Sequence, residues 1–407
     1  MSIIPYSKQK IDSDDINAVQ KVLASDFITQ GPKINEFERA IADYCGTKYA
    51  VAVANGSAAL HLAALAAGLK AGDEAITTPI TFLATANAVL YAGGTPVFAD
   101  IDYDTANIDP DQIKRLVTRK TKAILPVDLA GLPCAIRAIH AIAARHGLTI
   151  IQDASHALGS ESQGEKVGSC RFSDMTIFSF HPVKHITTGE GGCITTNNKK
   201  YYEKLKALRS HGVYRLTETQ QKLGTWYYEM KELGFNYRIT DFQCALGLSQ
   251  LSKLEDFIKR RIQIARRYDA AFSEFGEYLK VPAQQINNEK HVWHLYLLRL
   301  RLKKPSAIRR SLFEHLRSNG IYAQVHYIPI YKQPFYRKLL SGKKVNCPNA
   351  DRYYDEVLSL PIFPSLSESE TEKTISTVKD FFKKFNSKNK GAGKRQRDAA
   401  NLVRESV

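Results

Sequence analysis

The chain has 407 residues, 44% of them hydrophobic and 24% charged, which is ordinary for a soluble globular protein and leaves room for two domains. Its formal net charge of +16 raises the question of an anionic partner, yet much of the excess lies late, in Lys383-Lys384, Lys388, Lys390 and Lys394-Arg395-Gln396-Arg397. That stretch carries no apolar periodicity, so residues 386–407 read as a basic, disordered tail and the remaining excess as suited to an anionic small molecule.

The first residues, Met1-Ser2-Ile3-Ile4-Pro5-Tyr6, contain no signal-peptide apolar core. The most apolar tract, 49–69, is broken by Asn55, Gly56, Ser57 and His61, a pattern for a strand, a turn and a buried helix and not for a membrane span. The expectation is a cytoplasmic protein with no membrane or nucleic-acid partner. Cysteines 45, 134, 170, 193, 244 and 347 show neither metal-ligand nor redox spacing, and no metal site is expected.

From residue 49 onward, short apolar runs alternate with helical patterns. The run 49–53 leads to a helix over 57–68, 74–78 to one over 85–91, 96–100 to one over 110–118, and 123–127 to one over 135–146; runs at 148–151, 175–180 and 193–196 complete the set. This alternation predicts an α/β fold: a large domain over 1–250 with a mixed, mostly parallel sheet between helices, its N-terminal segment free to pack on the smaller domain that follows. A long helix over 248–277, a strand over 291–300, a helix over 305–319 and a β-like run over 323–328 predict a smaller α+β domain over 251–385.

Ligands of such sheets bind at the carboxyl ends of the strands. Two residues stand there in sequence order: Asp153, closing the run that begins at 148, and Lys184, in the loop Ser179-Phe180-His181-Pro182-Val183-Lys184-His185-Ile186-Thr187-Thr188-Gly189-Glu190-Gly191-Gly192. Alone, the lysine is a solvated surface residue and the aspartate a turn former. Together, with glycines following that let the backbone approach a flat ligand, they suit pyridoxal 5'-phosphate (PLP). An acid holds the pyridine nitrogen protonated and a lysine bonds the aldehyde. Gly56 and Ser57 open a helix after a strand, either as a phosphate site or as a plain cap, and Ser179 offers a second hydroxyl. Phe82 is a ring-stacking candidate or a core residue. His156, three residues after Asp153, either reaches the cofactor or is a satisfied polar residue in a helix's first turn. No Walker loop and no Gly-x-Gly-x-x-Gly follows a strand.

Four blocks then become specific in combination: Asn55-Gly56-Ser57-Ala58-Ala59-Leu60, Asp153-Ala154-Ser155-His156-Ala157-Leu158-Gly159, Ser179 to Gly192, and Gly234-Phe235-Asn236-Tyr237-Arg238. In this order they resemble the DegT/DnrJ/EryC1/StrS family of PLP-dependent sugar aminotransferases, of fold type I, over about residues 4–385. The resemblance implies that Lys184 is the Schiff-base lysine and Asp153 the partner of the pyridine nitrogen. It implies Gly56, Ser57 and Ser179 on the phosphate, Phe82 over the ring and His156 beside it. It also implies that Asn236 serves the phosphate of a neighbouring subunit, hence a homodimer, and that Tyr6, Lys33, Arg238, His326 and Tyr327 face the substrate.

The runs 181–185 and 234–241 further resemble the enzymes of pseudaminic acid synthesis. Those move the amino group of L-glutamate to C4 of a UDP-linked 2-acetamido-2,6-dideoxy-4-keto sugar. Alternatives are a dTDP- or GDP-linked keto sugar, or a non-catalytic PLP-binding sensor on the same scaffold. Related dehydratases carry histidine at the lysine position, and Lys184 speaks against that reading.

Overall fold

In the structure, a computed structural model that describes residues 3–214, 217–283, 289–342 and 344–404, the alternating runs form one seven-stranded sheet. Its strands are β1 (Tyr49–Val53), β2 (Glu74–Thr77), β3 (Thr95–Phe98), β4 (Thr121–Leu125), β5 (Thr149–Asp153), β6 (Met175–Ser179) and β7 (Gly192–Thr196). The spatial order is β1-β7-β6-β5-β4-β2-β3. Strands β3, β2, β4, β5 and β6 run parallel, while β7 lies antiparallel between β1 and β6. Gly192 therefore pairs with both Val53 and Ser179, and the ends of β1, β5 and β6 meet the start of β7 at one edge.

Side-chain alternation sorts the strands onto two cores, as a period of two requires. Val51, Val53, Ile151, Ile177 and Ile194 pack under the helix Gly56–Ala66. Ala50, Ala52, Phe178 and Cys193 face the helix Pro32–Cys45, through Phe37 and Ile41, and the start of the helix Leu254–Phe272.

The second half departs from its sequence reading in three places. The helix expected over 248–277 is two helices, Asp241–Leu251 and Leu254–Phe272, followed by a 3-10 turn, Ser273–Phe275. No glycine or proline marks the break. It is fixed from outside, because the Lys253 ammonium pairs with Asp12 and with fully buried Asp15, the latter at 3.0 Å. The strand expected over 291–300 starts only at Tyr296. Arg261, fully buried, donates from one guanidinium nitrogen to the carbonyls of Trp293 (3.2 Å), His294 (3.2 Å) and Ile362 (2.8 Å), and so holds the preceding residues as a loop. The run 323–328 pairs with the neighbouring strand only through Gln324, as a single bridge to Ser359.

Tyr296–Leu300 is the middle of a three-stranded antiparallel sheet with Leu279–Lys280 and Val357–Leu360. Tyr268, Phe272, Leu312, Leu316, Val378 and Phe382 cover it. Ile4 belongs to the same cluster, bonded to Gly320 and Tyr322 (2.8 and 2.9 Å), so the N-terminal segment runs along this unit. The last helix, Glu368–Arg404, extends into the segment read from sequence as a tail.

Asp100, nearly buried just beyond β3, joins the two halves. It accepts the N–H groups of Asn349 and Ala350, each at 2.9 Å, at the start of the helix Pro348–Glu356, whose own leading residue supplies no side-chain cap. A distant carboxylate thus does the work of an N-cap. Asp100→Ala is expected to destabilise the folded protein by about 1–3 kcal/mol, read as a lower unfolding midpoint in calorimetry.

Candidate active site

The strand ends enclose a cavity of about 500 Å³. It gathers Tyr6, Gly56, Ser57, Phe82, Asp153, His156, Ser179, Lys184, His326 and Tyr327 from the residues singled out in the sequence. Asp153 arrives as the last residue of β5. Lys184 lies on the β6–β7 loop, which is bonded to itself: Phe180 N–H to Gly191 O (2.8 Å), Thr188 N–H to Phe180 O (3.0 Å) and Lys184 N–H to His181 O (2.9 Å). Ser7 Oγ donates to Val183 O at 3.2 Å, so the N-terminal segment that brings Tyr6 also pins the lysine loop.

Glycine is required where this loop returns. A Cβ at Gly192 would lie 2.5 Å from the Asn55 carbonyl oxygen and 2.8 Å from Gly56 N, and one at Gly56 would lie 2.9 Å from Ser179 Cβ. Their absence lets Ser179 sit against the first turn of the helix Gly56–Ala66, capped by Asn55 Oδ1 on Ala58 N–H at 2.8 Å. Among the described residues the hydroxyls of Ser57 and Ser179 make no hydrogen bond with the chain. A helix start with two uncommitted hydroxyls has the donors a phosphate needs.

Charge in the cavity is governed by burial. Desolvation pulls the Lys184 ammonium down to about 8, against the pull of the Asp153 carboxylate, which favours the charged form. Lys184 Nζ makes no hydrogen bond or ion pair among the described residues. Burial keeps the surrounding imidazoles neutral: His156, His185 and His294 fall well below their ordinary value, and His326 to about 4, each pushed further by the nearby lysine. His156 Nδ1 accepts the Ala130 N–H at 3.3 Å, which assigns its proton to Nε2, 3.4 Å from the Tyr327 hydroxyl. Burial raises the Tyr327 hydroxyl, so it stays protonated and available as a donor.

These residues fit PLP. An acid and a lysine share one cavity with a helix start bearing free hydroxyls, and Phe82, 58% exposed, lines it. Thr85 and Ser155, which bond Asp153, and Thr81 and Glu190 line the cavity too. Ser155 and Glu190 stand inside the blocks quoted from the sequence without being singled out there, whereas Thr81 and Thr85 come near Asp153 only through the sheet order.

Three expected site residues lie elsewhere in this chain. Lys33 pairs with Glu36 (2.5 Å) and lines a second cavity of about 670 Å³. Asn236 is exposed, bridged to Ser210, and Arg238 does not line the first cavity.

The sequence profile of the DegT/DnrJ/EryC1/StrS aminotransferase family matches residues 9–379. The spore coat polysaccharide biosynthesis protein SpsC of Bacillus subtilis is 40% identical over 382 residues, 93% of this chain and 97% of that one. A UDP-4-amino-4,6-dideoxy-N-acetyl-beta-L-altrosamine transaminase of Campylobacter jejuni is 40% identical over 379 residues, 92% of this chain and 96% of that one. Among solved structures, Helicobacter pylori PseC, an aminotransferase of pseudoaminic acid biosynthesis, superposes with a TM-score of 0.87 at 35% identity, covering 94% of this chain and 100% of that one. Other solved relatives include PLP-bound forms.

The lysine's folded value lies below its ordinary 10.5. Between about 8 and 10.5 the unfolded chain therefore binds the extra proton, and stability rises with pH across that window. Lys184→Met, which removes the buried charge, is expected to stabilise the cofactor-free protein most below about pH 8. The advantage should vanish by about pH 10.5, as read from urea unfolding at a series of pH values.

Proposed function

The chain belongs to the DegT/DnrJ/EryC1/StrS aminotransferase family and is a PLP-dependent sugar aminotransferase, and on that premise we propose that L-glutamate is its amino donor and C4 of a UDP-linked 2-acetamido-2,6-dideoxy-4-keto-hexose its acceptor. The product is a UDP-4-amino-4,6-dideoxy sugar for pseudaminic acid or a related surface glycan. The observation that carries the chemistry is Lys184, drawn down to about 8 in the cavity it shares with Asp153. The likeness to the Campylobacter and Helicobacter proteins supports the choice of sugar.

When bound, PLP supplies an electrophilic aldehyde and an electron sink. The residues do the rest. Ser57, Ser179 and the helix start would hold the phosphate, and Phe82 would pack against the ring. The Asp153 carboxylate holds the proton on the ring nitrogen. Lys184 Nζ, uncharged at little cost near neutral pH, takes the α-proton from glutamate and later returns a proton to the sugar's C4. Neutral His156 keeps the Tyr327 hydroxyl turned as a donor to ligand oxygens.

The three residues outside the cavity support a site shared between two copies. The segment of Lys33 and that of Asn236 and Arg238 are one surface: Asp241 accepts Gly31 N–H (2.7 Å) and Lys33 N–H (2.9 Å), and Thr29 pairs with Thr240. Exposed Phe27, Ile28, Trp226, Tyr228 and Leu233 lie along the same stretches of chain. A patch of that character is an association surface. In the proposed homodimer it delivers Asn236, Arg238 and Lys33 to the other subunit's cavity. The proposal also divides the chain near residue 250, where the helix Leu254–Phe272 passes from one core to the other.

Protein loaded with PLP should release 2-oxoglutarate from L-glutamate and convert a UDP-4-keto-6-deoxy sugar to its 4-amino form, followed by mass spectrometry. Lys184→Ala should abolish both. Release of 2-oxoglutarate with UDP-, dTDP- and GDP-linked keto sugars all untouched would overturn the acceptor. Mixing subunits bearing Lys184→Ala with subunits bearing Asn236→Ala should restore about a quarter of wild-type turnover, because half the dimers are hybrids with one intact site of two. No recovery, with Asn236→Ala alone impaired, would place Asn236 in its own subunit's chemistry.

A further inference from the structure

Asp153 is held by more than its strand. Its Oδ1 accepts the Ser155 hydroxyl at 2.6 Å and the Ser155 N–H at 3.1 Å, and its Oδ2 accepts the Thr85 hydroxyl at 2.7 Å. Thr85 Oγ1 also lies 2.9 Å from Thr81 Oγ1 and 3.4 Å from the Phe82 carbonyl oxygen. Thr85 is fully buried, and Thr81 and Asp153 are 4% exposed. A hydroxyl has one proton to give. A carboxylate only accepts, so the Thr85 proton goes to Asp153 at the shortest of the three distances, and Thr81 must donate to Thr85. The result is a one-way chain, Thr81 O–H to Thr85 O–H to Asp153, of the kind in which buried hydrogen bonds polarise one another.

We infer that Thr85, with Thr81 behind it, is a positioning residue that fixes which way the Asp153 carboxylate faces and keeps it an acceptor toward the ring nitrogen. Strand β5 sets only where the Asp153 backbone lies. Ser155 holds one oxygen, and without Thr85 the other is free to turn. Thr85 comes from the first turn of the helix Leu83–Tyr91, and its N–H donates to Phe82 O at 3.3 Å. One helical turn therefore ties the residue proposed for the ring face to the residue that steadies the acid proposed for the ring nitrogen. This inference rests on PLP as cofactor and not on the identity of the sugar.

Thr85→Val keeps the side-chain shape and removes the hydroxyl; Thr85→Ser keeps the hydroxyl. The readouts are the pH midpoint of the visible absorption of PLP-loaded protein, the PLP dissociation constant, and the single-turnover rate with L-glutamate. None requires the sugar, so failure of the acceptor assignment leaves the test intact. In Thr85→Val the absorption midpoint should rise by about one pH unit, since a less firmly held ring proton withdraws fewer electrons. Glutamate turnover should fall about 10- to 100-fold, the loss expected for a hydrogen bond to a charged group. The PLP dissociation constant should change by less than about threefold, and Thr85→Ser should restore midpoint and rate to within about threefold. Thr81→Val should shift the midpoint in the same direction by less, and it carries the test if Thr85→Val does not fold. A wild-type midpoint in Thr85→Val, or Thr85→Ser as impaired as Thr85→Val, overturns the inference.

Discussion

The site depends on one close approach. Strand β7 enters the sheet antiparallel between β1 and β6, and its first residue pairs with the last residue of each. Only a residue without a side chain fits there, because a Cβ at Gly192 would lie 2.5 Å from the Asn55 carbonyl oxygen. This contact draws the lysine loop back over the helix that starts at Gly56. It brings the two serines together and sets Lys184 above the end of β5. A looser return would leave the same residues on separate strand ends.

The second constraint is electrostatic. Burial is deep enough that four histidines near Lys184 remain neutral and the lysine itself is drawn toward neutral pH. An ammonium in water gives up its proton too reluctantly to serve as a base. Here the cost of burying the charge supplies the shift, and Asp153 limits it. The same burial makes His156 a fixed, directional link between a backbone amide and Tyr327.

The smaller unit contributes position more than chemistry. The N-terminal segment is tied to it through Ile4 and enters the cavity as Tyr6, then fixes the lysine loop through Ser7. Arg261 holds the loop 291–295, whose Val292 carbonyl accepts from His185, the neighbour of Lys184. Asp100 ties the helix Pro348–Glu356 to the end of β3. These are polar bonds between segments far apart in sequence, each satisfying a group that would be costly to leave buried and unpaired.

The strand–helix alternation from residue 49 to 196, the glycines of the lysine loop and the order Asp153 before Lys184 are local patterns; they specified the sheet class and pointed to the cofactor chemistry, which the four blocks in combination made specific. Hydrophobic period and turn composition are written in consecutive residues, so they can be read without the fold. The tertiary structure decided what depends on partners distant in the chain. Lys253 breaks a helix that its own sequence would continue, because Asp12 and Asp15 bind it. Residues 291–295 leave their strand because Arg261 claims their carbonyls. Thr85 joins Asp153 because β2 and β5 flank β4, an adjacency with no trace in the sequence around either residue. Lys33, Asn236 and Arg238 match a family pattern in the sequence, yet the fold sets them on a surface apart from the cavity. Where a side chain's partner lies tens to hundreds of residues away, only the packed chain determines what it does.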